Sequence, residues 1–234
     1  MESQQVRIEE TRLQNMVKAG KHPSYKDFDT NIYGAADVRL QLRIDQHDKC
    51  MYCECTLLDK DGGEVEHYRP KTAVRQDQTP GNTTTPAYHQ LAYVWDNLAL
   101  SCHACNRRKS TLFPLRNPYD RFDLSKEDPL IINPYKKDPA EHIEFRRHKV
   151  YPQKDKTGKD DKEGKTTIEI LELNRLDLVE LRRRRFQCFL DIMTNLNLSF
   201  DEALEKVKQD AIRDFGSSDG IEFLGMFENQ IYKF

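Results

Sequence analysis

The chain has 234 residues, of which 37% are hydrophobic and 32% are charged, and its 37 basic and 39 acidic side chains give a net charge of −2. This balance indicates no class of partner, and the small hydrophobic share favours a fold that needs a staple or a partner besides its core. No run approaches the roughly 18 apolar residues of a membrane-spanning helix. The first twenty residues are too charged for a secretory signal, so we expect a cytoplasmic protein with no membrane partner.

The N-terminal segment, residues 1–36, predicts a helical extension with a loop at Lys21–Thr30. The segment that follows has an ambiguous period. Alternate apolar residues from Val38 to Ile44 fit a strand, whereas Val38 and Leu42 also fit one face of a helix. Periodicity does not decide between the two.

Two C-x-x-C pairs, Cys50 with Cys53 and Cys102 with Cys105, lie about fifty residues apart. The cytosol keeps thiols reduced, so disulfides are not expected. Two such pairs on tight turns predict one tetrahedral four-sulfur zinc site. Four protein ligands leave no open position, so this zinc is expected to be structural.

Two further cysteines are present. Cys55 follows Cys53 closely, and the two could form an alternative C-x-C pair in place of Cys50. We rank Cys55 as a spare thiol. Cys188 lies on a predicted helix and is expected in the core.

The segment between the two pairs predicts a β-hairpin, with strands Thr56–Asp59 and Glu64–Tyr68 joined by Asp61-Gly62-Gly63. The second strand ends in Glu66-His67, a carboxylate beside an imidazole.

The segment before the second cysteine pair carries Trp95, Leu98 and Leu100, which we expect in the core. A short helix follows it, and Ser101–Arg121 contains five basic residues against Asp120 alone. This local excess favours a surface that faces phosphate.

The C-terminal region, residues 121–234, predicts helices. Arg182–Arg185 interrupts a helix at Leu178–Leu196, and four consecutive helical positions sweep most of the circumference, so at least one arginine should contact a neighbour. Glu180 can pair with Arg183 or Arg184.

A second C-terminal helix should begin at a capping box of Ser199 and Glu202. Acidic residues dominate Asp201–Glu228. An acidic segment is a poor nucleic-acid surface, so we expect a partner-docking surface there.

The order of the motifs C-x-x-C, E-H-x-x-P, W-x-N-L and C-x-x-C-N-x-x-K resembles the HNH endonuclease family. Shorter motifs extend the resemblance to the PtuB-type HNH nuclease subunits of Septu and retron-associated anti-phage systems, over roughly residues 37–185. These motifs are Phe113-Pro114-Leu115, Leu130–Tyr135, Thr167-Ile168 and Leu173-Asn174-Arg175.

The resemblance implies an α+β fold, with a zinc-stapled ββα-metal (HNH) core at residues 37–120 embedded in a mostly α-helical chain. It also favours a helix, packed on the zinc core, for the ambiguous segment after residue 36.

The resemblance further implies roles for individual residues. His67 would be the general base, and Glu66 and Asn106 would hold a catalytic Mg²⁺ or Mn²⁺. Asn97 would fix the loop and the orientation of the base. The remaining implied contacts are to substrate phosphate, through Arg107 and Lys109.

The implied function is hydrolysis of phosphodiester bonds in nucleic acid, DNA before RNA, within an anti-phage complex. The implied partners are a PtuA-like ATPase and, in a retron setting, a reverse transcriptase and its DNA. The alternative is a non-catalytic zinc-knuckle module that binds nucleic acid or a protein. Such a module has no need of Glu66, His67 and Asn106 together.

Overall fold

Groups of helices and groups of short strands follow one another along the chain, and together they form a mixed α+β arrangement. A computed structural model describes residues 4–57, 62–79, 81–215, 217–219 and 221–228. The helices are α1 (Gln4–Lys18), α2 (Thr30–Tyr33), α3 (Ala36–Asp45), α4 (His103–Lys109), α5 (Lys162–Ile170), α6 (Leu176–Leu196), α7 (Phe200–Phe215) and α8 (Leu224–Glu228). The strands are β1 (Glu64–His67), β2 (Val74–Arg75), β3 (Thr83–Thr84), β4 (Leu98–Ser101), β5 (Ile143–Arg146) and β6 (Lys149–Pro152).

The N-terminal extension packs against the middle of the chain. Helix α1 buries Leu13 in a small apolar cluster with Phe28 and Ala92. Tyr93 adds a hydrogen bond, because its hydroxyl accepts from the backbone N–H of Asp29 at 2.9 Å. The extension therefore forms part of the wall around the segment that precedes β4.

The ambiguous segment after residue 36 is helix α3, as the family resemblance predicts. Leu42 is 1% exposed, whereas Leu40 and Ile44 are 58% and 57% exposed. Positions two apart share a face in a strand but not in a helix, so this exposure pattern is that of a helix.

Strand β1 pairs with β4, and the described part of the predicted partner strand, Thr56 and Leu57, does not pair with β1. The pair is antiparallel, with Glu64 opposite Ser101 and His67 opposite Leu98. Thr56 instead forms an isolated bridge with Lys49, and residues 58–61 lie outside the described ranges. The chain runs from β4 directly into α4, whose N-cap is Cys102.

The main core joins the cysteine pairs to the C-terminal helices. Cys50, Cys53 and Cys105 lie in one buried cluster with Phe186 and Phe227. The region after residue 120 therefore packs on the cysteine segment. The domain boundary predicted at that position remains a prediction.

The C-terminal region also contains a β-hairpin, which the expectation of a purely helical region missed. Strand β5 pairs antiparallel with β6, and Phe145 lies opposite Val150. Both of these side chains are buried in the main core. Each strand has only four residues, too few to stand out as a periodic pattern.

Two expected core residues lie at the surface. Trp95 is 42% exposed because it begins a surface 3-10 turn, whereas Leu98 and Leu100 are buried as predicted. Cys188 is exposed, so its predicted burial is wrong. Helix α6 turns its apolar face inward through Phe186 and Phe189, and Cys188 lies between them in sequence but on another side of the helix.

The predicted contacts of the arginine run are confirmed. Arg182 is buried, and its Nη1 donates to the Leu173 carbonyl at 2.6 Å. The other three arginines form ion pairs, which are Arg183–Glu180, Arg184–Glu180 and Arg185–Glu222.

The capping box at the start of α7 is also confirmed. The Glu202 carboxylate accepts from the Ser199 backbone N–H at 2.8 Å, and the Glu202 backbone N–H donates to the Ser199 hydroxyl at 3.3 Å.

Within the described residues, no helix is long and apolar enough to cross a membrane.

The helical form of α3 can be tested by a matched pair of substitutions. Leu42→Ala should lower the free energy of unfolding by about 2–5 kcal/mol, because it leaves a cavity in the core. Leu40→Ala, two residues away on the exposed face, should change it by less than about 0.5 kcal/mol. Urea unfolding of the two variants measures both effects, and equal losses would contradict the helix.

Candidate functional site

The four predicted zinc ligands lie together. The Sγ atoms of Cys50, Cys53, Cys102 and Cys105 all lie within 4.8 Å of one another. Tetrahedral zinc with Zn–S bonds of about 2.3 Å requires sulfur atoms about 3.8 Å apart. The Sγ atoms of Cys53 and Cys102 are 3.8 Å apart. This cluster of thiols could therefore hold a metal ion such as zinc.

The first cysteine pair is held against β4 by a side chain that the sequence did not single out. Gln46 follows α3, and its amide nitrogen donates to the Leu100 carbonyl at 2.8 Å while its oxygen accepts from the Leu100 N–H at 2.6 Å. The Met51 N–H donates to the same carbonyl at 3.1 Å. Since β4 runs straight into Cys102, these bonds bring the two pairs together.

The fifth thiol, Cys55, lies at the edge of the cluster. Its Sγ is 3.4 Å from that of Cys53, but it is not one of the four atoms that all lie within 4.8 Å of each other. It is half-buried. The structure thus favours Cys50 over the alternative C-x-C pairing.

His67, the last residue of β1, is buried with both ring nitrogens in contact. Nε2 lies 2.9 Å from the Ala92 carbonyl and Nδ1 lies 3.1 Å from the Lys71 ammonium. A carbonyl only accepts and an ammonium only donates, so the contacts assign the proton to Nε2 and leave Nδ1 as the acceptor. The Tyr33 ring meets the imidazole edge-on at 4.8 Å.

This environment keeps His67 neutral. Burial is the main cause that lowers its pKa to about 3, and the positive charge of Lys71 adds to the effect. Lys109 lowers the pKa further, while the hydrogen bond to Ala92 opposes the shift. The imidazole is therefore free of its second proton throughout the physiological pH range.

Asn97 holds the loops on either side of His67. Its Oδ1 accepts from the Arg69 N–H at 2.8 Å, and its Nδ2 donates to the carbonyls of Arg69 and Leu91 at 3.1 Å each. These bonds tie the residues after His67 to the residue before Ala92. They fix the carbonyl that orients the imidazole.

Glu66 lies in a buried ion pair. Its Oε1 accepts from the Lys109 ammonium at 2.6 Å and from the Tyr52 hydroxyl at 3.3 Å. Glu66 is 5% exposed and Lys109 is not exposed. Within the described part of the chain, Glu66 Oε2 makes no hydrogen bond.

The expected position of Lys109 at a substrate surface is therefore not found. Its ammonium is the counter-ion of Glu66 and also donates to the His67 carbonyl at 3.0 Å. Removing one partner of a buried ion pair costs about 3–5 kcal/mol, because the other charge is left buried without a counter-charge. Lys109 thus fixes the position of Glu66 and of the backbone at His67.

Asn106 contacts Glu64 instead of Glu66. Its Nδ2 donates to one Glu64 oxygen, and the His103 imidazole lies 2.7 Å from the other. No partner for Asn106 Oδ1 occurs among the described residues. Alternate residues of a strand leave the same face, so Glu64 and Glu66 belong to one side of β1. The E-V-E spacing could have indicated Glu64 from the sequence.

Acidic neighbours reduce the excess of basic charge predicted between Ser101 and Arg121. Arg107 is exposed, whereas most of the other basic residues have carboxylate partners. These ion pairs are Arg108–Glu172 at 2.7 Å, Arg116–Asp128 at 2.6 Å, Arg116–Glu163 at 2.9 Å and Lys109–Glu66 at 2.6 Å. Arg107 is the predicted phosphate contact that the structure leaves at the surface.

Replacing single cysteines should distinguish the four predicted zinc ligands from a cysteine that binds no metal. Cys102→Ser should lose bound zinc and unfold at a lower temperature, because a hydroxyl replaces a thiolate ligand. Cys188→Ser, on the exposed side of α6, should keep both zinc and stability. Metal analysis of the purified variants measures the difference, and a folded, zinc-free protein with wild-type stability would contradict a structural metal.

Three curated proteins are similar to the chain, and no protein-family model matches it. Septu protein PtuB of Bacillus mycoides (strain KBAB4) is 34% identical over 162 residues, which cover 67% of this chain and 53% of that protein. Septu protein PtuB of Bacillus thuringiensis is 34% identical over 148 residues, which cover 63% of this chain and 45% of that protein. The chain therefore spans about half the length of these two relatives.

The third similarity is to a segment of a longer protein. Septu protein PtuA of Bacillus mycoides (strain KBAB4) is 28% identical over 179 residues, which cover 70% of this chain and 23% of that protein. The predicted resemblance to PtuB proteins is confirmed by the two PtuB matches, and membership of the HNH family stays a prediction. These similarities support a place for the chain among PtuB-like Septu proteins.

Proposed function

We propose that the chain is a metal-dependent HNH-type endonuclease, the nuclease subunit of a Septu-type anti-phage system, with DNA as the favoured substrate. The observation that carries the proposal is the state of His67 at the end of β1. It is a neutral imidazole with its Nε2 proton held by a backbone carbonyl and its Nδ1 able to accept a proton. A general base for water must be deprotonated in this way, and its pKa should lie nearer neutrality than the value of about 3 that burial and Lys71 impose on His67 here.

The order of elements around His67 also supports the proposal. Strand β1 ends in Glu66-His67, β4 lies antiparallel to it, and α4 carries Asn106. This is the order of strands and helix that the HNH resemblance implies. The cysteine cluster at the start of α4 would hold this small unit together.

Lys71 gives the site a response to substrate. Its ammonium donates a hydrogen bond to Nδ1 of His67 at 3.1 Å and lies 4.5 Å from the centre of the Tyr33 ring. A phosphate is a stronger partner for an ammonium than a neutral imidazole is. A bound phosphodiester would therefore draw Lys71 towards its oxygens and free Nδ1 to take a proton from the attacking water.

Two oxygen atoms fit the expected catalytic metal. Glu66 Oε2 and Asn106 Oδ1 are two side-chain oxygens near His67 that have no hydrogen bond to the described residues, and oxygen is the ligand that Mg²⁺ and Mn²⁺ prefer. When bound, such an ion supplies positive charge for the phosphate and the leaving oxygen. Glu66 and His67 leave opposite faces of the strand, so one phosphate can meet both only at its end, where His67 is the last residue.

A PtuA-like ATPase is the proposed partner. A segment similar to this chain is 23% of a longer protein named PtuA. A similarity between this chain and part of a protein named PtuA supports a PtuA-like protein as the partner of the separate chain. The acidic segment after Asp201 remains the proposed docking surface, although Glu222 and Glu228 already pair with Arg185 and Lys208. The matched names are Septu proteins and give no support to a retron reverse transcriptase or its DNA.

The second candidate is a non-catalytic zinc-knuckle module. It is favoured by the pairing of Glu66 with Lys109 and of His67 with Lys71, which occupies both expected catalytic groups. A module of this kind would bind nucleic acid or protein without cleaving it.

A cleavage assay separates the two candidates. Plasmid DNA and total RNA are incubated with the protein in Mg²⁺ or EDTA, with and without the PtuA-like protein. His67→Ala should lower the Mg²⁺-dependent rate by about 10²–10⁴-fold, the usual contribution of a general base. The zinc content should not change, and the exposed His22→Ala is the matched control. Full activity of His67→Ala, or binding without cleavage by the wild-type protein, would contradict the proposal.

The pH dependence of cleavage tests the role of Lys71. A general base works deprotonated, so activity is lost as the pH falls through the pKa of His67, which burial and Lys71 lower to about 3. Lys71→Met removes the nearby positive charge and should move this acid limb to higher pH. Since burial is the larger cause, the limb should stay below about pH 6.5, the ordinary pKa of histidine.

The control for the pH experiment is Lys71→Arg, which keeps the positive charge and should keep the low acid limb. Tyr33 and Lys109 are unchanged in both variants. Rate profiles from about pH 2.5 to about pH 8 include the low limb of the wild type and measure the shift. Identical profiles for Lys71→Met and the wild type would exclude a contact between Lys71 and the working base.

A further inference from the structure

Arg175, at the N-cap of α6, donates hydrogen bonds to the cysteine cluster. Its Nη1 lies 3.7 Å from the Sγ of Cys105, and its Nη2 lies 3.9 Å from the Sγ atoms of Cys53 and Cys102. Its side chain is 6% exposed. One guanidinium therefore contacts three of the four predicted zinc ligands.

Arg182, two helical turns later, is a second buried cation on the same side of α6. Its Nη1 donates to the Leu173 carbonyl at 2.6 Å, and its guanidinium lies 5.3 Å and 5.6 Å from the ring centres of Phe145 and Phe223. Arg182 lines one cavity together with Cys53 and Glu54. Burial lowers the pKa of Arg182 to about 10, and the charges of Cys53 and Glu54 oppose this shift. No carboxylate forms an ion pair with Arg182 among the described residues.

The charge of a zinc-filled cluster accounts for both arginines. Four thiolates and one Zn²⁺ carry 2 − 4 = −2 charges. A buried charge requires a counter-charge nearby. Arg175 and Arg182 together supply +2. Two carboxylates lie near the arginines. Glu54 contacts Lys49, and the exposed Asp177 contacts the Nε of Arg175 at 3.3 Å, which leaves the two Nη groups of Arg175 directed at the sulfur atoms.

We propose that Arg175 and Arg182 are the counter-charges of the zinc tetrathiolate, and that the zinc-filled cluster thereby anchors helix α6 to the cysteine pairs. Arg175 acts through direct N–H···S bonds, and Arg182 acts from further away across the core. Both are positioning residues for the metal. The inference depends on zinc and not on nuclease activity.

The residues around the arginines fit this role. Asn174 exchanges two hydrogen bonds with the backbone of Val150, at 2.9 Å from its N–H and 2.8 Å to its carbonyl. Leu173 is buried and offers its carbonyl to Arg182. The sequence Leu173-Asn174-Arg175 thus connects β6, α6 and the cysteine cluster. Arg182, the buried residue of Arg182–Arg185, is bound to the same segment through the Leu173 carbonyl.

Zinc retention tests the proposal. Zinc release from Arg175→Met and Arg182→Met to a chromogenic chelator should be faster than from the wild type, with an affinity loss of about 10–100-fold, as is usual when a hydrogen-bond partner of a metal ligand is removed. Arg175→Lys keeps the charge but not the paired N–H groups, so its rate of zinc release should lie between those of the wild type and Arg175→Met. Arg184→Met is the matched control, because Arg184 is exposed on the same helix and pairs with Glu180.

Thiol reactivity distinguishes this role from a general loss of packing. Hydrogen bonds from Arg175 withdraw charge from sulfur, so the zinc-bound cysteines of folded Arg175→Met should be alkylated by iodoacetamide faster than those of the wild type, and Arg175→Lys should partly restore the wild-type rate. Equal zinc release and alkylation in Arg175→Met and Arg184→Met would overturn the proposal, as would a wild-type protein that contains no zinc.

A measurement on the wild-type protein covers the case in which these variants do not fold. Chelation should raise amide hydrogen exchange in the first turns of α6, residues 178–186, because the two arginines lose their counter-charge. Helix α1, which packs in a separate cluster, is the internal control. Unchanged protection of α6 after zinc removal would overturn the proposal.

Discussion

Four sulfur atoms from segments about fifty residues apart lie within 4.8 Å of one another, and much of the remaining structure is arranged around them. Gln46 bonds the first pair to β4, and β4 leads into the second pair. The same cluster is the point where the phenylalanines of α6 and α8 meet the cysteine segment. A metal at this point would connect three parts of a chain whose hydrophobic content is small for its length.

Burial determines the contacts of the charged groups in the candidate active site. Glu66 and His67 are both buried at the end of a short strand, and each contacts a lysine, Lys109 and Lys71 respectively. Lys109 is enclosed and fixes the acid in place. Lys71 lies over the rings of Tyr33 and Phe28 and is only partly buried. The two lysines therefore differ in burial, and the proposed response to substrate is assigned to Lys71 alone.

The sequence predicted the residues of both sites better than their contacts. The spacing of the cysteines was sufficient to predict their meeting, because two C-x-x-C turns have few other uses in a reduced compartment. The contacts of Lys109 were not predictable, because whether an ammonium at the end of a helix faces water or a carboxylate depends on the strand beneath it. The walls formed by Tyr33 and Arg175 come from segments distant in the chain.

The sequence by itself determined the four-cysteine cluster, the capping box of α7 and the need for at least one arginine of Arg182–Arg185 to contact a neighbour. These features follow from local spacing and from helical geometry, whereas the α+β class followed from the family resemblance. Only the tertiary structure decided that β1 pairs with β4, that Trp95 is exposed, and which charges neutralise one another. Pairing and burial depend on contacts between residues far apart in the chain, which a local pattern does not contain. The near-zero net charge of −2 indicated no partner, and the structure gives the reason: most of the basic residues near the site already have acidic neighbours.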